Sequence, residues 1–223
     1  ITPGDRLGFG ARYAIGASGF GGGSNLSSAG LFGSGGNPGT LGEVAVGTMT
    51  DGVFVNGSNV ELTTTWTVMA AYEHHWVPEL KTSFYGGYSS VEHNSTAKSY
   101  FASNVCGSYG AGAGQAGFSG GSLATNCDPN WSFFQGGVRT QWTPERGLIV
   151  GVDAVYTHVW TAFNGTQATL AGVSTNPISG SLTQLNTVIG ARQAGTYSIG
   201  NQGIWSVAFR VQRNFNTGGG SPR

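Results

Sequence analysis

The chain has 223 residues, enough for one domain with a sizeable core. Only 9% are charged, against ~25% in an ordinary soluble domain, while 40 residues are glycine and 12% are aromatic. Lys and Arg (10) balance Asp and Glu (10), which excludes the basic footprint of a nucleic-acid binder, and so few charges weigh against a cytosolic soluble enzyme.

The predicted elements are strands, read from alternation with a period of two. In 6–17, Leu7, Phe9, Ala11, Tyr13 and Ile15 alternate with Arg6, Gly8, Gly10, Arg12 and Ala14. In 60–76, Trp66, Val68, Ala70, Tyr72 and Trp76 oppose Thr67, Met69, Ala71, Glu73 and His75, with His74 an exception on the apolar side. In 80–92, Leu80, Thr82, Phe84 and Tyr88 oppose Lys81, Ser83, Tyr85 and Gly87. The segment 131–143 sets Phe134, Val138 and Trp142 against Gln135, Arg139 and Gln141. In 148–162, Leu148, Val150, Val152, Ala154, Tyr156 and Trp160 face away from Gly151, Asp153 and Thr157. The last strand, 204–215, places Trp205, Val207, Phe209, Val211 and Phe215 opposite Ser206, Ala208, Arg210, Gln212 and Asn214. No segment shows a convincing helical period.

The connections alternate in length. Val77-Pro78-Glu79 and Thr143-Pro144-Glu145-Arg146-Gly147 are tight, Pro-containing hairpin turns. The others, 18–59, 93–130 and 163–203, are long and rich in Gly, Ser, Asn and Thr. Loops of that length are uncommon in a compact soluble domain. The first could hide one more hairpin, with 43–49 and 53–60 as its weak strands. Short turns at one end and long loops at the other are the pattern of an outer-membrane β-barrel.

Face chemistry points the same way. The strands run near the ~9–11 residues that cross a bilayer. Trp76, Trp131, Trp142 and Trp160 stand at strand ends beside turns or loops, as an aromatic girdle would, and with Trp66, Tyr72, Phe84, Phe134, Tyr156, Trp205, Phe209 and Phe215 they make up the expected lipid-facing and girdle residues. The opposite face is small and glycine-rich, which a water-filled lumen tolerates and a packed core does not. The expected fold is therefore all-β, an antiparallel transmembrane β-barrel over 1–215, of which this chain supplies about six to eight strands, followed by a Gly/Ser/Pro tail at 216–223.

The charged residues of the small face, Arg6, Arg12, Glu73, Lys81, Arg139, Asp153 and Arg210, are the candidate pore lining, since fixed charges set ion selectivity in pores. Cys106 and Cys127 are expected to pair as a disulfide across the 93–130 loop, as an even count in an oxidising compartment allows. His74 and His75 point to opposite faces of a strand and cannot chelate together, so no metal site is expected. No nucleophile elbow, phosphate loop or cofactor motif is present, so neither enzyme activity nor a cofactor is expected.

The chain resembles the C-terminal half of an alphaproteobacterial outer-membrane porin of the rhizobial type. The resemblance is carried by Ala71-Tyr72-Glu73-His74-His75-Trp76 and Leu80-Lys81-Thr82-Ser83, then by Cys127-Asp128-Pro129-Asn130-Trp131-Ser132-Phe133 and Gly137-Val138-Arg139-Thr140-Gln141-Trp142. Gly151-Val152-Asp153, Val155-Tyr156-Thr157 and the closing Trp205-Ser206-Val207-Ala208-Phe209-Arg210 complete it. It implies a homotrimer of barrels of about sixteen strands each, with the N-terminal strands supplied from outside this chain. It also implies passive diffusion of small hydrophilic solutes and ions across the bacterial outer membrane. The competing expectation is a surface-exposed binding or adhesin-type β-barrel or β-sandwich without transport activity. A complete small barrel would have a side-chain-filled interior, whereas a porin segment would have open edges.

Overall fold

The computed structural model describes residues 4–21, 30–33, 43–47, 49–103, 118–119, 127–170 and 195–214. The elements in chain order are β1 (Arg6–Ile15), α1 (Ser18–Gly21), β2 (Gly30–Gly33), β3 (Glu43–Gly47), β4 (Gly52–Val53), β5 (Glu61–Leu62), β6 (Thr64–Val77) and β7 (Leu80–Glu92). They continue with α2 (Ser95–Phe101), β8 (Phe118–Ser119), β9 (Trp131–Glu145), β10 (Leu148–Trp160), β11 (Gln167–Leu170), β12 (Gly195–Ile199) and β13 (Gln202–Arg213). Phe215, the tail 216–223 and Cys106 lie outside the described residues.

The fold is all-β. The six long strands match the six alternating segments and form one sheet in the order β1-β6-β7-β9-β10-β13, with every neighbouring pair antiparallel. Pro78-Glu79 and Arg146-Gly147 make the two short turns. Gly147 has φ +82, a left-handed conformation that a Cβ would strain, and Asn214 donates its N–H to the Gly147 carbonyl at 2.7 Å. Among the described residues β1 and β13 are the sheet's two edges and no ladder joins them, so the sheet is open rather than a closed barrel.

Ladder register turns the alternation into two continuous faces. One row reads Leu7, Tyr72, Phe84, Val138, Ala154 and Val207 across all six strands. The next row on the same face reads Phe9, Ala70, Gly86, Gly136, Tyr156 and Trp205. This face is uncovered: Phe9 is 78% exposed and Trp205 73%. Water-facing apolar surface on that scale marks a surface made to meet something apolar.

The buried core lies elsewhere, in the long connections. Val44, Ala45, Val46 and Met49 come from the first connection, Cys127 from the second, and Ala162, Phe163 and Ile199 from the third. They pack on Val91, Trp131 and Val159 at the long-loop end of the strands. Thr161 anchors this cap. Its hydroxyl accepts from the Val46 N–H at 2.7 Å, and Ala162 donates to the Val46 carbonyl at 2.9 Å.

Three expectations are corrected here. Trp131 is not on the lipid-type face. It shares parity with Gln135 and Arg139, pairs with Val91, and is 3% exposed inside the cap. The expected hairpin of 43–49 with 53–60 does not form. β3 instead pairs with β2 and, in parallel, with β12, while β4 pairs with β5. The chain also contains a helix of about two turns, α2, whose start is fixed by Asn94 accepting from the Ala97 N–H at 2.8 Å.

Candidate functional site

The charges of the small face gather into a belt near the short-turn end. One ladder row reads Arg6, Glu73, Ser83, Arg139, Asp153 and Ala208. The adjoining row reads His75, Lys81, Gln141, Gly151 and Arg210. Six of the seven predicted lining residues therefore fall in two neighbouring rows. Arg12 does not, because it lies six residues further along β1, about 20 Å from Arg6 at strand rise.

Two clusters hold the belt in place. Arg139 donates from Nη2 and Nε to Asp153 Oδ2 at 2.5 and 3.0 Å, and its guanidinium lies 5.8 Å from the Tyr85 ring centroid. The Tyr85 hydroxyl donates to the other Asp153 oxygen at 2.5 Å. Asp153 is thus saturated from two strands. In the second cluster Glu73 accepts from Lys81 Nζ at 2.9 Å and from Ser83 Oγ at 3.3 Å, and its other oxygen meets His75 Nε2 at 3.1 Å. These pairs face solvent along the sheet, where an ion pair is worth about 1 kcal/mol or less. Their role is to fix where charge sits rather than to stabilise the fold. On β13, Arg210 reaches the Gln212 side chain.

Between belt and cap the wall recedes into an open hollow of about 480 Å³ lined by Gly8, Gly10, Met69, Tyr85, Gly87 and Gln135 among others. Glycines form part of its wall: a Cβ on Gly87 would stand 3.2 Å from the Val68 carbonyl oxygen, and one on Gly10 3.2 Å from Met69 Cγ.

The remaining predicted girdle residues among those described, Trp66, Tyr72, Trp76, Phe84, Phe134, Trp142, Tyr156, Trp160, Trp205 and Phe209, all lie on the apolar face by register. Trp66 and Trp160 stand near the cap and Trp76 and Trp142 at the short-turn end, while Tyr72, Phe84, Tyr156 and Trp205 lie in the rows between. Trp66, Tyr88 and Trp160 are in ring contact at 5.2 and 5.7 Å near the cap. Along β6 towards the short-turn end the Tyr72 and His74 rings stack and Trp76 meets His74 edge-on at 4.5 Å. The polar tips are used: Trp66 Nε1 donates to Glu92 at 2.9 Å and Trp76 Nε1 to Thr82 at 3.0 Å.

Sequence reading missed Asp5 and undervalued Tyr85. Asp5 precedes β1, yet its carboxylate is buried, accepting from the Tyr72 hydroxyl at 2.8 Å and meeting His74 Nδ1 at 2.9 Å. This explains the one polar residue on the apolar side of β6. Tyr85 shares parity with Lys81 and Ser83, a signal already present in the alternation. His74 and His75 bond to Asp5 and Glu73 respectively, on opposite faces.

In the cap, Asp51 accepts from both the N–H and the hydroxyl of Ser18 at 2.8 Å, which holds its carboxyl below the usual carboxylate range. His93 is 5% exposed, lies edge-on to Phe101 at 5.2 Å, and its ring nitrogens find no hydrogen-bond partner among the described residues. Burial pushes its pKa down, against the opposing pull of Asn130 and Asp128. No protein-family model, curated protein or solved structure matches the chain.

Proposed function

We propose that the chain forms part of the wall of a porin-type diffusion pore in a bacterial outer membrane, passing small hydrophilic solutes and ions without catalysis. One observation carries this reading: a six-stranded sheet with an uncovered apolar face that carries tryptophan at both ends of its strands, and a charged belt on the reverse. The dimensions fit. Trp66 and Trp76 are ten residues apart on β6, and so are Val150, opposite Trp142, and Trp160 on β10. Ten residues at ~3.3 Å span ~33 Å, and a tilt of ~40° reduces that to ~25 Å, the height of the apolar band on outer-membrane barrels.

On this reading the apolar face meets lipid, the belt meets water in the lumen, and the cap narrows one mouth. The open edges at β1 and β13 are completed by strands beyond the six described here, because backbone groups inside a bilayer must all be paired. Porin likeness adds assembly as a homotrimer, and a Cys106–Cys127 disulfide ties the second long connection to the buried Cys127. The adhesin-type sandwich is the weaker reading. A sandwich covers its apolar face with a second sheet, but here the cap packs against Val91, Trp131 and Val159, which belong to the polar-face parity.

The test is quenching of tryptophan fluorescence by brominated lipids after reconstitution into vesicles. Trp205 and Trp66 should be quenched by bromines in the acyl region, and a variant keeping Trp131 alone should not. Quenching confined to Trp131, or none at all, would reject the membrane wall.

A further inference from the structure

Inside the sheet, each belt cation reaches a carboxylate, on the neighbouring strand in both cases: Lys81 meets Glu73 and Arg139 meets Asp153. At the edges this pattern stops. Arg6 on β1 stands level with Glu73, whose oxygens are held by Lys81, His75 and Ser83, and Arg210 on β13 bonds only the neutral Gln212. Neither forms an ion pair among the described residues, and both lie on strands whose outer backbone edge has no ladder partner there. β1 and β13 run in opposite directions, since six antiparallel strands separate their outer edges.

We infer that the strands covering these two edges run antiparallel to them, apolar on the lipid side, and carry a carboxylate on the lumen side level with Arg6 and with Arg210. This deepens the pore reading and rests on it for the environment, but the charge rule comes from the sheet alone. A second copy of this chain is the wrong occupant. If the sheet's own rows are continued straight from β13 of one copy onto β1 of another, Arg6 stands beside Ala208 with Arg210 one row away, so that pairing sets two cations near each other and adds no carboxylate. Opposite charges across a ladder stabilise pairing and like charges oppose it.

The test uses the full 223-residue chain in detergent micelles and two fluorescent synthetic strands of about ten residues. Both alternate Val and Phe with Gln; one carries Glu at the central inward position and the other Lys. The Glu strand should bind about fivefold more tightly by fluorescence anisotropy. That preference should vanish in the Arg6→Gln, Arg210→Gln double variant, whose strand content by circular dichroism stays unchanged. Equal binding of both strands, a preference for Lys, or a Glu preference that survives in the double variant would overturn the inference. So would self-association into dimers cross-linked between β1 and β13 with neither peptide bound. Bilayer insertion is scored separately by brominated-lipid quenching. A chain that selects the Glu strand yet stays out of vesicles sinks the pore reading alone, and one that inserts without selecting sinks only this inference.

Discussion

Arginine placed at Val138 separates a lipid-facing wall from a water-facing one. Val138 lies between Phe84 on β7 and Ala154 on β10, in the middle of the apolar face. Phe134 and Trp142 are each four residues away along β9, which is ~13 Å along the strand and ~10 Å in depth at a tilt of ~40°. On the pore reading the site is therefore close to the bilayer midplane, where an arginine on the lipid face costs ~2–4 kcal/mol. That is a shift of about 30- to 700-fold in the folding equilibrium. The control is Gln135→Arg, three residues earlier and on the opposite face, where only a 3.1 Å hydrogen bond to Thr157 is lost. Losing that exposed bond costs ~1 kcal/mol or less. Guanidinium unfolding of both variants in vesicles, followed by tryptophan fluorescence, gives the comparison. If Val138→Arg proves no more destabilising than Gln135→Arg, the apolar face is not in hydrocarbon and the reasoning fails.

Further predictions concern the cap and the belt. Trp131→Ala should destabilise the cap by about 3–5 kcal/mol, seen as faster proteolysis of the long connections, and Gly47→Val should do likewise because even a Cβ there stands 2.6 Å from the Trp131 ring. His93 has a lowered folded pKa, so the folded cap binds the proton less well than the unfolded chain. Its stabilising contribution is full above the unfolded value of 6.5 and is lost as pH falls from there through the folded value; the protection factors of the α2 amides, relative to intrinsic exchange at each pH, should fall on acidification, and a His93→Gln variant should lose that response. Thiol labelling without reductant should modify neither Cys106 nor Cys127, and reduction should cost about 3 kcal/mol for a loop of this size. In planar bilayers, Arg139→Glu and Arg210→Glu should move the reversal potentials of the pore towards cations at low salt. The shift should fade at high salt as screening shortens below the ~8–10 Å of physiological conditions.

The strands and their faces were legible because alternation is a local signal and register carries it intact across six ladders. Trp131 sits at a strand end, which suggests a girdle, but its parity with Gln135 and Arg139 puts it on the polar face under the cap. The corrective signal was present: Val91, Trp131, Phe133 and Val159 break the polar pattern on adjacent strands at one end, which marks where something covers that face. The pairing of β3 with β12 was not legible, since Val44 and Ile199 are joined across 155 positions by contacts that no spacing rule encodes. Asp5 was missed for a related reason: a lone acid before a strand acquires meaning only when the ladder sets it beside Tyr72 and His74. The belt was half legible. Its members were named from parity, but their convergence into two rows depends on the stagger of each hairpin.

The location of the core inverts the usual rule for tolerance to substitution. Surface connections commonly drift and accept insertions while strands hold still. On the pore reading the apolar wall needs only hydrophobicity, since lipid is a fluid without shape, so exchanges such as Val152→Ile or Leu7→Val should pass unnoticed. The connections interlock as solids do. Val44, Val46, Met49, Phe163 and Ile199 fill one another's gaps, and Phe163 does so from a left-handed backbone with φ 56. Grafting an epitope or a tag would therefore be safer at Val55–Ser58, the exposed tip joining β4 to β5, than anywhere in the glycine-flanked segment that ends at Met49.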